Sequence, residues 1–230
     1  MKAVLHQPQY FPYPGFFHKL MQADIFVLLD NTQYDKRFTN RNQIISSNNS
    51  IWITVPIDKK QKFSPNRLVE INNSIEWKNE HWKKIKYSYS NSEYFSLYED
   101  YFKELFSMDW NFLCELNFET LKQTMKWLNI KTKIIKESDL KLEGKGSQRL
   151  IDGCKKIGAD TYISGKGLPG KKYLDEDLFG EKNIKLEYQK YVPLEYEQHM
   201  SETFTPNLSI LDLLFNIGPS SSKFIQNCTG

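Results

Sequence analysis

At 230 residues, with 40% hydrophobic and 14% aromatic content, the chain is long enough to bury a sizeable core and has the composition of a globular protein. Its 31 basic and 28 acidic residues leave a formal charge of +3, too small to demand a nucleic-acid or membrane-surface partner. Cys114, Cys154 and Cys228 have neither CxxC nor Cys/His ligand spacing, which argues against a zinc motif or a disulfide framework and suits a reducing cytoplasm. The opening apolar run is too short for a signal peptide and no later stretch reaches the length of a membrane span, so a soluble cytoplasmic protein is expected.

The run Ala3 to Leu5 stops at His6-Gln7-Pro8, the pattern of a buried first strand whose carboxyl end opens into a loop. Pro8, Pro12 and Pro14 hold that loop open and predict extended conformations for Gln7, Phe11 and Tyr13. From Gly15 to Gln22, Phe16, Phe17, Leu20 and Met21 fall at helical spacing, with His18 and Lys19 toward another face. Ile25 to Leu29 reads as a second buried strand, ending at Asp30. This β-α-β start implies a parallel sheet, in which ligands gather at the carboxyl ends of the strands, where His6 and Asp30 lie.

Gln43 to Ile57 reads as a β-hairpin turning at Ser47 to Ser50. Asn40, Arg41 and Asn42 lead into it. Arg41 has two equal readings: a bidentate hold on a phosphate or carboxylate, or a structural pair with Asp30 or Asp35. Lys59 to Asn66 is a polar loop, and Leu68 to Ile71 reads as a further strand. Helical spacing over Trp77 to Tyr89, Ser92 to Ser107 and Asn111 to Leu128 predicts three helices forming a cap, a helical insertion at about 76–129 in a single domain of 1–230. His81 on the first is read either as a packing histidine or as a residue facing the site.

The second half returns to strand and helix in alternation. Strands are expected over Lys131 to Lys136, Thr161 to Ser164 and Ile184 to Tyr188, and helices over Ser147 to Ile157, capped by Ser147, and near Asp175 to Phe179. Tyr162 to Gly167 puts a glycine-rich basic loop after a strand, where Ser164, Gly165 and Lys166 could meet an anion, although its spacing is not that of a P-loop. Ser209 caps an apolar helix, Ile210 to Ile217, stopped by Gly218-Pro219, and Ser220 to Gly230 reads as a fraying tail. The fold class is therefore α/β: a Rossmann-like, mostly parallel sheet with an inserted β-hairpin and a helical cap.

No Ser-His-acid order, thiol with a neighbouring base, or metal motif is readable, and the residues name no cofactor. Two rims remain: His6, His18, Asp30, Gln33, Lys36 and Arg41 from the first half, and Ser164, Gly165 and Lys166 from the second. Histidine moves protons near neutral pH while Arg and Lys hold anions, which suits acyl or group transfer onto an amine or hydroxyl of a phosphate-bearing acceptor, with His18 as the first general-base candidate. His6 and Asp30 join it as catalytic candidates. Gln7, Tyr10, Gln33, Lys36, Asn40, Arg41, Asn42, His81, Ser164, Gly165, Lys166 and Tyr173 are the candidates for holding substrate.

HQPQYFPYPGFFHK, the DNTQYDKRFTNRN that follows, IWITVP, YISGKG with KKYL, and PNLSILDLLFNIG resemble, in that order, the WbqC-like family. The resemblance implies a transferase of bacterial O-antigen or surface-polysaccharide biosynthesis, placing an acyl or aminoacyl group on an amino sugar or nucleotide-linked sugar. It marks Gln7, Pro8, Tyr10, Phe11, Gly15, His18, Asp30, Gln33, Lys36, Asn40, Arg41, Asn42, Ser164, Gly165 and Tyr173. The expected partners are such a small-molecule substrate and an activated acyl donor; nucleic acid is not expected, except an aminoacylated tRNA as donor. Two alternatives accompany this reading: a non-catalytic module binding a nucleotide, sugar or RNA, and an ATP-dependent adenylating ligase. The latter follows from a similarity to the HIGH-motif adenylyl transferases, from which GFFH departs by lacking the histidine two residues before Gly-His.

Overall fold

Short, continuously apolar segments can be buried on both faces only where helices cover both sides of a parallel sheet. The computed structural model, which describes residues 1–165 and 174–230, has this arrangement. Strands β1 (Lys2–His6), β2 (Ile25–Leu28), β5 (Lys133–Lys136), β6 (Thr161–Ser164) and β7 (Lys185–Tyr188) are all parallel, in the order β5-β2-β1-β6-β7. The hairpin strands β3 (Arg41–Ser46) and β4 (Asn49–Thr54) form a separate antiparallel pair. Ser47 and Asn48, both at positive φ, make its two-residue turn, the backbone that matches strand twist.

From β1 the chain works outward through β2 to β5, then crosses back to build β6 and β7 on the other side of β1. The strand order therefore reverses between β1 and β6. Their ladder consists of two register pairs, Lys2 with Thr161 and Ala3 with Tyr162, whereas β1–β2, β2–β5 and β6–β7 each have four. Pairing thus stops short of the carboxyl ends of β1 and β6, and the reversal between them is the crevice position at which open α/β sheets bind ligands.

One face of the sheet, through Val4, Phe26, Leu28 and Ile163, packs under α1 (Pro14–Leu20), the cap helices α2 (Trp77–Tyr89), α3 (Phe95–Ser107) and α4 (Leu113–Trp127), and α8 (Ile210–Ile217). The other, through Ala3, Leu5, Val27 and Tyr162, lies against α6 (Gly146–Lys156) and α7 (Glu176–Glu181). A short α5 (Glu137–Leu140) follows β5. The cap and the hairpin share one hydrophobic core with the sheet: Ile44, Ile45 and Ile53 meet Tyr89, Phe102 and Phe215 in it.

Four expectations need correction. Ser220 to Gly230 does not fray: α9 (Ser221–Asn227) packs on α1, burying Ile225, and Tyr191 pairs with Thr229 beyond it. Leu68 to Ile71 forms no strand; a 3-10 turn at Asn66–Leu68 leads to single bridges, Ile57 with Ile71 and Glu70 with Phe112. Ser147 does not cap α6, whose N-cap is Lys145, and its hydroxyl instead accepts the Asp175 N–H. Phe11 is not extended but left-handed, at φ 42°, because the Asn42 amide and the Ser209 hydroxyl both hold its carbonyl. The helix α1 is covered on every side: all of Pro14 to Leu20, including His18 and Lys19, is buried, since α9 and Tyr191 close over it.

Candidate functional site

His6 ends β1 at the crevice. Its Nδ1 donates to the Gln7 carbonyl at 3.0 Å, which leaves Nε2 as the lone-pair nitrogen, with no partner among the described residues. Phe16 meets the ring edge-on at 5.2 Å. Burial, helped by the charge of Lys19, pushes its pKa down to about 3, so the imidazole is neutral at physiological pH. A neutral imidazole with a free Nε2 can accept a proton or a hydrogen bond from a substrate hydroxyl or amine.

The two rims meet through a residue that the sequence reading passed over. Gln189, just after β7, donates its N–H to the Ser164 carbonyl at 2.8 Å and its side-chain amide to the Gly15 carbonyl at 2.7 Å. The same amide lies 2.8 Å from His18 Nδ1, and the Gln22 amide lies 2.9 Å from it. Both amides donate, so Nδ1 accepts and the imidazole proton sits on Nε2. Burial lowers the pKa of His18 as well. His18 therefore has its lone pair engaged, and offers a donor where His6 offers an acceptor. It lines a groove of about 650 Å³ between α1, β7 and α9, with Tyr188, Lys190 and Gln226. Gly15 sits at the tightest point of this junction: a Cβ there would lie 2.8 Å from the Tyr191 ring.

The other candidates go elsewhere. Both carboxylate oxygens of Asp30 accept from Ser138, one from its N–H at 2.9 Å and one from its hydroxyl at 2.7 Å, tying β2 to α5. Asn40 accepts from the Tyr34 hydroxyl and donates to the Val55 carbonyl, while Asn42 donates to Tyr10 and Phe11. These amides brace the hairpin against the rim loop. Tyr10 is fully buried, its hydroxyl 3.0 Å from His81 Nδ1, and His81 sits among Trp77 and Phe106 with burial pushing its pKa down to about 4. Gln33 and Lys36 lie on an exposed loop, with the Gln33 amide on the Lys62 carbonyl.

Arg41 does not form the structural pair with Asp30 or Asp35. Asp35 is paired with Arg37, and Asp30 with Ser138; the Arg41 guanidinium lies 4.3 Å over the Trp52 ring, its Nε donating to the Arg37 carbonyl. Trp52 and its neighbour Phe38 are 37% and 44% exposed, forming an open aromatic-cationic surface on the hairpin. Gln7 and Gly165 stay at the crevice, following β1 and β6, and Lys166 and Tyr173 lie outside the described residues.

Among the described residues no cluster of His, Cys, Asp or Glu could hold a metal ion, and no helix is long and apolar enough to cross a membrane. The fold and site thus define an α/β protein with a polar crevice at the reversal of a parallel sheet. The model of the WbqC-like protein family matches residues 7–224, and the chain belongs to that family. It is also 29% identical over 229 residues to an uncharacterized protein of Mycobacterium tuberculosis, covering 99% of this chain and 98% of that one. No solved structure matches the chain.

Proposed function

We propose that this protein is a cytoplasmic transferase of bacterial surface-glycan biosynthesis that moves an acyl or aminoacyl group onto an amino sugar or nucleotide-linked sugar bound in the crevice between β1 and β6. The observation that carries this reading is the neutral imidazole of His6, whose open Nε2 lies where a parallel sheet of this order takes its ligand. In the step envisaged, the acceptor's amine or hydroxyl attacks the acyl carbon and His6 Nε2 takes its proton. The bond from that carbon to the donor's leaving group then breaks, and the leaving group departs with the electron pair and receives the proton. Gln189 and His18 would fix the second wall of the crevice through Ser164 and Gly15. The test is a panel of nucleotide-linked amino sugars with activated acyl donors, read by mass spectrometry. A mass shift that is lowered about 10²–10⁴-fold in His6→Gln supports the reading, and no shift with any donor and folded protein refutes it.

A second reading, a module that binds a nucleotide or RNA without turning it over, is favoured by the exposed stack of Arg41 on Trp52 beside Phe38. Under this reading Arg41→Ala and Trp52→Ala together would abolish nucleotide binding, and the wild type would bind nucleotide without transferring any acyl group.

A further inference from the structure

Helix α1 carries a cation that nothing in the described structure answers. Lys19 is 5% exposed, its ammonium makes no hydrogen bond or ion pair among the described residues, and burial pulls its pKa down to about 8. Buried charges in proteins are paired, or they mark functional sites. Several buried or half-buried carboxylates of the protein are engaged elsewhere. Asp30 is taken by Ser138, Glu137 by Arg149, Asp212 by Tyr89, Tyr196 and Gln198, and Glu187 by Lys2 and Lys185. Helical side chains lean toward the helix N-terminus, which in α1 is the end that follows the rim loop. The charge of Lys19 acts on His6, the residue that ends β1.

We propose that Lys19 holds the oxyanion of the substrate: its ammonium takes a phosphoryl or carboxylate oxygen at the crevice, beside the open Nε2 of His6. This rests on the reading of the crevice as the substrate site. An ammonium is a compact point charge well suited to phosphate, and a water-poor setting strengthens the pair. The same placement gives selectivity. A neutral sugar would leave the ammonium buried alone, whereas a sugar carrying a phosphate link or a carboxylate satisfies it.

The test is calorimetric titration of the full chain at pH 7 with inorganic pyrophosphate and, separately, malonate. Wild type is compared with Lys19→Met, Lys19→Arg and the exposed control Lys60→Met. The expected result is one site, weakened at least about tenfold by Lys19→Met and left within about threefold by Lys19→Arg and Lys60→Met. Preference for pyrophosphate assigns a phosphoryl ligand, and preference for malonate a carboxylate. Equal affinity in wild type and a Lys19→Met variant with unchanged circular dichroism would overturn the proposal, as would no binding of either anion to wild type. If Lys19→Met binds as wild type does while His6→Gln loses transfer, the crevice stands and the assignment of Lys19 falls. If His6→Gln also transfers normally, the crevice reading falls with it.

Discussion

Replacing Lys19 with Met should make the ligand-free protein more stable. Methionine keeps most of the length and apolar character of the lysine stem but removes a charge that is 95% buried without a partner. Burial pulls the pKa of Lys19 from 10.5 to about 8, so at pH 7 the folded state bears the full cost of keeping it charged. At about 1.4 kcal/mol for each pH unit of that gap, the cost is roughly 3 kcal/mol. The unfolded chain holds its proton up to 10.5, so between pH 8 and 10.5 it binds more protons than the folded one. Stability of the wild type therefore rises with pH across that window, and the advantage of Lys19→Met shrinks, to under about 1 kcal/mol by pH 10. Urea unfolding of both proteins at pH 7 and pH 10 measures this directly, and the corresponding rise in Tm at pH 7 is roughly 6–12 °C for a chain of this size. Equal unfolding midpoints at pH 7 would refute the reasoning. So would a gain that stays constant up to pH 10, because it would come from packing instead of charge.

His6 makes the opposite end of the pH scale informative. With its folded pKa near 3 against an ordinary 6.5, the wild type should lose roughly 4–5 kcal/mol relative to His6→Gln as pH falls from 6.5 to 3, and none of that difference should develop above pH 6.5; paired urea melts at pH 7 and pH 4 test the sign. Arg149→Ala strands Glu137, which is 1% exposed, and should cost about 3–5 kcal/mol, much of it recovered in the double variant with Glu137→Gln. Tyr89→Phe removes both the donor to Asp212 and the acceptor of the Ile45 N–H, so thermal unfolding should show a loss of about 2–4 kcal/mol, well beyond that of an exposed Tyr87→Phe. Gly15→Ala pushes on Tyr13 and Tyr191 and should lower stability by about 1–3 kcal/mol; a crystal structure or ring-proton NMR would find Tyr191 displaced from His18.

Much of the architecture was legible because it rests on local patterns. The apolar runs of β1, β2 and β6 are strands buried on both faces, and the helical spacing of Trp77 to Tyr89 and Ile210 to Ile217 matches the helices seen there. What stayed hidden depends on contacts far apart in sequence. No periodicity reveals that α9 returns to cover α1 and so buries His18 and Lys19. Gln189 belongs to no motif; its importance comes from standing where Ser164, Gly15 and His18 converge. Asn40 and Asn42 illustrate the reverse difficulty. An amide that binds a ligand and one that satisfies a buried carbonyl look the same in sequence, and these two do the latter. Arg41 read equally as a ligand hold or as a pair with Asp30 or Asp35, and its seat on Trp52 follows from hairpin register, which puts Gln43 opposite Trp52 and Arg41 opposite Thr54.

The left-handed turn at Phe11 bears on how the protein meets its ligand. A large side chain in that conformation persists only where its surroundings fix it, and here Asn42 and Ser209, from opposite ends of the chain, grip one carbonyl while Tyr10 is tied to Phe38 and His81. The loop that borders the crevice is therefore rigid before anything binds. Little ordering entropy is then lost on association, and bound and free backbones should superpose within about 1 Å along residues 7–13. Changing what the crevice accepts would accordingly be a matter of exchanging side chains on a fixed frame, and grafting a different loop between β1 and α1 would fail unless positions 42 and 209 were redesigned with it.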